Sequence, residues 1–92
     1  MKNILVACGN GVGSSLIVKM KVQKVMDELG VPCNITHSSI GEAKSSAKKF
    51  DIIVVSRMFV PEFANVQGPF VIGLINIMSE EEISDKIRTV LL

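Results

Sequence analysis

The stretch that decides the fold is an apolar run followed by a glycine-rich turn, Ile4-Leu5-Val6-Ala7-Cys8-Gly9-Asn10-Gly11-Val12-Gly13-Ser14-Ser15. A continuous apolar run of this kind is typical of a strand buried on both faces of a sheet. A helical pattern follows the turn, because Val18, Val22 and Val25 recur at helical spacing, with Leu16 and Met20 widening the apolar stripe. The stretch therefore predicts a strand over residues 2–7, a phosphate-sized loop and a helix over residues 14–29.

Cys8 stands where that strand ends and the loop begins. The N-terminus of a helix presents unpaired backbone N–H groups and the positive end of the helix dipole, which favour an anion. The same field favours a thiolate over a thiol. Cys8 is thus predicted to be a nucleophile inside an anion-binding loop, with phosphoryl chemistry on its sulfur. A buried structural thiol is the alternative, and the glycines at three of the next five positions argue against it.

Three better-known phosphate loops do not fit this stretch. A dinucleotide fingerprint needs a third glycine where Ser14 stands, and a nucleotide P-loop needs a lysine that the loop lacks. A phosphatase loop of the form C-x5-R has the spacing of Cys8 and Ser14, but Ser14 replaces the arginine. That arginine would bind a phosphoryl group through two hydrogen bonds and stabilise the transition state for its transfer to water. Its replacement is compatible with a loop that holds a thiophosphate until an acceptor arrives. Ser14 and Ser15 could cap the helix, donate to a phosphate, or do both.

Length and composition predict a single cytoplasmic domain over residues 1–92. The net charge of +1 is too balanced to predict a nucleic-acid partner or an anionic membrane surface. Residues 63–79 form the longest uncharged stretch, but they are too polar to insert into a membrane. Two cysteines do not make a disulfide scaffold, and no signal peptide precedes the first strand. The sequence offers no cluster with metal-ligand spacing, and we expect no metal and no cofactor.

The rest of the chain continues the alternation of strand and helix. We predict strands over 31–37, 51–56 and 70–74, a short helix over 40–49, and a last helix over 80–92. Capping boxes begin at Ser39 and Ser79, and Gly30 is a helix-ending signal. Residues 57–69 are predicted to be a long loop with room for one helical turn. This pattern predicts a parallel α/β sheet covered by helices on both faces, with Cys8 at the edge where such sheets bind ligands.

Two other residues are candidates for chemistry. Cys33 lies in an apolar strand without a glycine loop and is predicted to belong to the core. His37 is predicted to be a polar residue at a strand end rather than a phosphoryl carrier or metal ligand. The apolar side chains between Arg57 and Phe63 fit ordinary packing and a docking surface equally well.

The segment from Ala7 to Ser15, continued by Lys19-Met20-Lys21-Val22, closely resembles the IIB component of the sugar phosphotransferase system (PTS). The likeness is to the ascorbate-type branch, within the group of lactose, galactitol and ascorbate IIB proteins. It extends over the whole chain in length, in the alternation of four strands and in the closing strand Phe70-Val71-Ile72-Gly73. We therefore expect a three-layer α/β sandwich with strand order 2-1-3-4 and a phosphatase-like loop after the first strand.

The resemblance implies a phosphocysteine intermediate at Cys8. It also implies that the loop binds the phosphoryl group through Gly9, Asn10, Gly11, Val12, Gly13, Ser14 and Ser15. The implied donor is a phosphohistidine on the IIA component, and the implied acceptor is a sugar held by the membrane-embedded IIC component. The sugar would be ascorbate or a related pentitol- or hexitol-type substrate. A low-molecular-weight cysteine phosphatase or arsenate-reductase-like enzyme, and a non-catalytic domain on the same fold, remain alternatives.

Overall fold

Residues 2–8, 12–77 and 79–91 are described by a computed structural model, with the backbone alone at residues 8 and 12–15. Strands and helices alternate along them: β1 (Lys2–Cys8), α1 (Val12–Leu29), β2 (Cys33–Ser39), α2 (Ile40–Ser46), β3 (Ile52–Ser56), β4 (Phe70–Leu74) and α3 (Glu80–Leu91). Two 3-10 helices complete the pattern, one over Ala47–Lys49 and one over Arg57–Phe63, which we call the 57–63 helix.

The four strands form one parallel sheet in the order β2-β1-β3-β4, which confirms the predicted order. β1 is central, so Ile4 lies between Ile35 of β2 and Ile52 of β3. Because all strands run the same way, their carboxyl ends meet at one edge of the sheet. We call this the carboxyl edge.

Side chains alternate across the sheet and build a separate core on each face. On one face Ile4 and Val6 pack against α1 and α3. On the other, Leu5 and Ala7 pack against α2 and the 3-10 helices, where Phe63 is the largest buried side chain. The expected three-layer sandwich with helices on both faces is therefore confirmed.

The helix ends follow the predicted signals. Gly30 adopts a φ of +71°, and the N–H groups of Gly30 and Val31 donate to the carbonyls of Asp27 and Met26. This pattern of two bonds is the glycine-dependent Schellman ending. At the predicted capping boxes, the Ser39 hydroxyl accepts from the Glu42 N–H at 3.3 Å, and the Ser79 hydroxyl accepts from the Glu82 N–H at 3.2 Å.

The second strand begins and ends two residues later than predicted. Val31 uses its N–H to close α1, and Pro32 has no N–H to give to a ladder, so pairing starts only at Cys33. α1 begins at Val12 rather than at residue 14. The apolar stripe of α1 is also narrower than predicted, because Leu16 and Met20 are exposed.

The predicted loop over 57–69 is helical over its first seven residues. The 57–63 helix has no 3.6-residue apolar period and contains Pro61, so sequence periodicity could not reveal it. Phe63 anchors this helix in the core, at 2% exposure. A salt bridge of 3.1 Å between Lys44 and Glu62 ties it to α2.

Candidate active site

Cys8 is the last residue of the central strand and lies at the carboxyl edge. It pairs with Ser39, the last residue of β2. On its other side Ala7 pairs with Val55, so Ser56, the last residue of β3, is level with Cys8. Adjacent strands lie about 5 Å apart, which brings these three strand ends together.

The position between β1 and β3 is the topological switch point of the sheet. α1 leaves the end of β1 across one face, and the 57–63 helix leaves the end of β3 across the other. Open α/β sheets bind their ligands beyond the strand ends at the point where such connections diverge. Cys8 ends β1 at this point, as the sequence predicted.

α1 begins at Val12, four positions after Cys8, and its first turn contains Val12, Gly13, Ser14 and Ser15. The first four N–H groups of an α-helix have no partner within the helix, and they carry the positive end of its dipole. The other predicted phosphate-binding residues, Gly9, Asn10 and Gly11, lie outside the described residues, as does the predicted phosphatase-like loop conformation. Phosphate binding by residues 9–15 therefore stays a prediction.

The second cysteine lies at the opposite end of the sheet. Cys33 pairs with Lys2 at the start of β1, about 20 Å from Cys8 at the rise of an extended strand. It is half-buried and packs against the core on the α1 face. Burial raises the pKa of the Cys33 thiol; a 3.7 Å hydrogen bond from Gln23 lowers it, and the charge of Asp27 raises it. Cys33 is thus a poor nucleophile at neutral pH.

His37 is not brought into the candidate site. It lies two residues before the end of β2, is half-buried and pairs with Val6. The described residues include no group of three or more His, Cys, Asp or Glu side chains placed to hold a metal ion.

A glycine allows the 57–63 helix to lie directly against β4. A Cβ atom at Gly73 would come within 2.5 Å of Val60 Cγ2 and 3.2 Å of Arg57 Cα. The absence of a side chain at this position therefore brings Arg57 close to the end of β4. The consequence for the site is that Arg57 and the exposed Met58 are held at the carboxyl edge, next to Ser56.

A half-buried carboxylate supports the end of β4. Glu82 accepts the backbone N–H groups of Ile75 at 2.7 Å and Asn76 at 2.8 Å, and it pairs with Lys86 at 2.9 Å. Burial alone would raise the pKa of Glu82, but the bonds from Asn76, Ile75 and Lys86 lower it to about 2. The Lys86 ammonium also donates to the carbonyl of Gly73. This network fixes the direction in which the chain leaves β4.

Sequence reasoning missed one feature of the edge. Ile75 follows β4 directly and exposes 72% of its surface, and Met58 in the first turn of the 57–63 helix exposes 74%. The exposure of Ile75 could have been predicted, because an isoleucine beyond the last paired residue of a buried strand has no core position to fill. Neither residue is needed to hold the fold together, which suggests contact with another molecule.

The fold matches that of a known class of phosphotransferase domain. The lactose-specific IIB component domain of the phosphoenolpyruvate:carbohydrate phosphotransferase system from Streptococcus pneumoniae superposes with a TM-score of 0.69. The match covers 98% of this chain and 94% of that one at 16% sequence identity. At that identity the comparison establishes the shared fold.

Sequence comparison identifies the family. Residues 3–89 match the family model of the lactose/cellobiose-specific IIB subunit of the PTS. The ascorbate-specific PTS system EIIB component of Mycoplasma pneumoniae is 37% identical over 89 residues, covering 97% of this chain and 94% of the relative. The protein of the same description from Salmonella typhimurium is 33% identical, covering 96% and 87%. The chain therefore belongs to the IIB family of the PTS, and its likeness to the ascorbate-type branch is confirmed.

The family match and the geometry agree on a phosphotransferase component. No helix among the residues described is long and apolar enough to cross a membrane.

Proposed function

We propose that this chain is the phosphoryl carrier of an ascorbate-type PTS, with Cys8 as the residue that carries the phosphoryl group. The observation that supports this most directly is the position of Cys8: it ends the central strand at the switch point, and α1 begins four residues later. The curated relatives named above are ascorbate-specific components, so ascorbate is the sugar that we propose.

The first step transfers the phosphoryl group from the IIA component. The Cys8 thiolate attacks phosphorus in line with the phosphorus–nitrogen bond of a phosphohistidine, forming a sulfur–phosphorus bond as the phosphorus–nitrogen bond breaks. The imidazole leaves with the bonding electron pair and takes up a proton. Backbone N–H groups at the start of α1 stabilise the charge on the equatorial oxygens.

The second step transfers the group to a sugar held by the membrane-embedded IIC component. A sugar hydroxyl attacks the same phosphorus, the sulfur–phosphorus bond breaks, and the hydroxyl proton is released. The thiolate is a good leaving group because the field at the start of a helix stabilises it. Cys8 returns to its starting state, so neither a metal nor a cofactor is consumed, and we place the protein in the cytoplasm between its two partners.

The position of Ser14 favours a carrier over a phosphatase. Ser14 stands six residues after Cys8, where a phosphatase loop has its arginine. Without that guanidinium the phosphoryl group is less activated toward water. The thiophosphate should persist until the sugar-loaded IIC component arrives.

Intact-mass analysis tests the proposal. The protein is incubated with phosphoenolpyruvate, the general PTS phosphotransfer proteins and an ascorbate-type IIA protein. We expect a mass increase of one phosphoryl group, about 80 Da, that peptide mapping assigns to Cys8, and its loss when IIC-containing membranes and ascorbate are added. Phosphate on His37, or rapid hydrolysis of an aryl phosphate by the protein alone, would contradict the proposal.

A further inference from the structure

A groove runs along the carboxyl edge on the side of β4. Two shallow surface depressions, of about 440 and 520 Å³, share Arg57, Pro61 and Ile75, so they form one continuous groove. Its remaining lining includes Ser56 and Met58 at one end and Lys86 at the other. We call it the Arg57 groove.

The Arg57 groove begins next to the candidate active site. Ser56, which lines the groove, is level with Cys8 on the neighbouring strand. The groove therefore begins about one strand spacing, roughly 5 Å, from the nucleophile and leads away from it toward the outer strand. A protein that brings a phosphoryl group to Cys8 from beyond the strand ends must also lie over this groove.

The groove combines exposed apolar surface with an uncompensated cation. Met58 and Ile75 expose 74% and 72% of their surfaces. Arg57 is exposed and makes no ion pair or side-chain hydrogen bond within the described residues, whereas Lys86 is already held by Glu82. A guanidinium in this setting suits a carboxylate, which it can bind through two parallel hydrogen bonds.

The charge of the groove distinguishes between the two partners of the carrier. Cytoplasmic loops of membrane proteins carry an excess of Lys and Arg, which the unpaired charge of Arg57 would repel. A soluble donor carries no such bias, and its phosphohistidine adds negative charge close to the contact. The unpaired charge of Arg57 therefore favours the donor.

We propose, on the basis of the function proposed above, that the Arg57 groove docks the IIA phosphoryl donor, which places an apolar side chain on Met58 and Ile75 and a carboxylate on Arg57. The groove thus recognises the partner that loads Cys8. The partner that unloads Cys8 contacts the same nucleophile but does not depend on Arg57.

Rapid-quench measurements of Cys8 phosphorylation test this inference, with purified, phosphorylated ascorbate-type IIA protein as the probe. We expect Arg57→Glu and Ile75→Asp each to lower the second-order rate constant at least tenfold, because truncation or reversal at an interface anchor commonly has effects of this size. Arg57→Gln should also flatten the dependence of the rate on salt, since it removes a charge that steers association.

Matched controls lie at the other end of the sheet. Arg88→Glu reverses an exposed charge in the last turn of α3, and Phe70→Asp replaces a side chain that is 60% exposed at the start of β4. In both variants the rate constant for phosphorylation of Cys8 should stay within twofold of the wild-type value. Alkylation of Cys8 by iodoacetamide should be equally fast in all variants, which shows that the loop is intact.

The unloading step decides whether the groove belongs to the donor. Variants phosphorylated by long incubation should transfer to ascorbate on IIC-containing membranes within twofold of the wild-type rate. If Arg57→Glu and Ile75→Asp both load at the wild-type rate, the inference is wrong but the carrier function stands. The same holds if both variants lose as much in the rate of transfer to ascorbate as in the rate of loading. A wild-type protein that no phosphorylated IIA protein can load would overturn the carrier function itself, and the inference with it.

Discussion

Gly73 and Val60 are packed so closely that only a hydrogen atom fits between the Gly73 Cα and the Val60 side chain. A Cβ at Gly73 would lie 2.5 Å from Val60 Cγ2, well inside van der Waals contact. This packing brings the start of the 57–63 helix against the end of β4. It thereby sets the position of Arg57 relative to the strand that ends in Cys8.

Gly73→Ala should therefore push the 57–63 helix away from the sheet. We expect a loss of about 1–3 kcal/mol in the free energy of unfolding, the usual cost of overpacking, measured by urea denaturation. Gly41→Ala in α2 is the matched control, because nothing lies within 4 Å of a Cβ at that position. In a helix alanine is favoured over glycine, so Gly41→Ala should leave stability unchanged or raise it. Equal effects of the two substitutions would contradict the packing argument.

Cys8 should be the only cysteine whose loss abolishes phosphorylation. Cys8→Ser should take up no phosphate, because a serine hydroxyl stays protonated at neutral pH and no base is predicted beside it. Cys33→Ser should retain uptake, since Cys33 lies about 20 Å away at the other end of the sheet. Intact mass after incubation with a phosphorylated IIA protein gives the answer. Uptake that survives in Cys8→Ser and disappears in Cys33→Ser would reverse the assignment.

The phosphorylated protein should hydrolyse slowly. Ser14 occupies the position of the phosphatase arginine, so the activation of the phosphoryl group toward water is weak. We expect hydrolysis of p-nitrophenyl phosphate by the unmodified protein to stay close to that of Cys8→Ser. Ser14→Arg should raise the hydrolysis of the phosphoprotein about tenfold or more and slow its handover to ascorbate. Rapid turnover of the aryl phosphate by the wild-type protein would instead indicate a phosphatase.

Glu82 should stabilise the protein at neutral pH and cease to do so in acid. Its pKa is about 2 in the folded protein, against about 4.3 for an ordinary glutamate, so the unfolded chain binds the proton more tightly. The contribution is therefore complete above about pH 5 and is lost as the pH falls toward 2. Glu82→Gln should lower the free energy of unfolding by about 1–3 kcal/mol at pH 7, and by much less at pH 3.

The exposed Glu81 provides the control for this experiment. Glu81→Gln removes one negative charge from the same first turn of α3 and leaves the bonds to Ile75 and Asn76 in place. It should change the free energy of unfolding by less than about 0.5 kcal/mol at either pH. A difference between wild type and Glu82→Gln that stays constant from pH 7 to pH 3 would contradict the linkage to the Glu82 carboxylate.

The parts of the fold that could be predicted from the sequence are those with a strong local signal. β1 and β3 are predictable because their apolar runs fill both faces of the sheet. The end of α1 is predictable because a glycine such as Gly30 readily adopts the positive φ that ends a helix. The 57–63 helix was missed because its position depends on Gly73, a residue of another strand. Contacts of this kind have no period along the chain.

The candidate site also contains residues that are adjacent in sequence and residues that only the fold brings together. Cys8, its glycines and the start of α1 are adjacent in sequence, so the candidate nucleophile and its loop could be proposed before the fold was known. Ser39 and Ser56 come next to Cys8 only through the pairing of strands, and Ile75 is held at the carboxyl edge only through its bond to Glu82. The position of the candidate nucleophile was therefore predictable, whereas the exposed surface around it was not.

The bond from Lys86 to the Gly73 carbonyl also bears on solubility. β4 is an outer strand, and the free backbone groups of an outer strand can pair with a strand from another copy. The Lys86 ammonium occupies one of these carbonyls and places a positive charge beside the strand. This arrangement disfavours the addition of a strand from another copy to the sheet, and with it growth into aggregates.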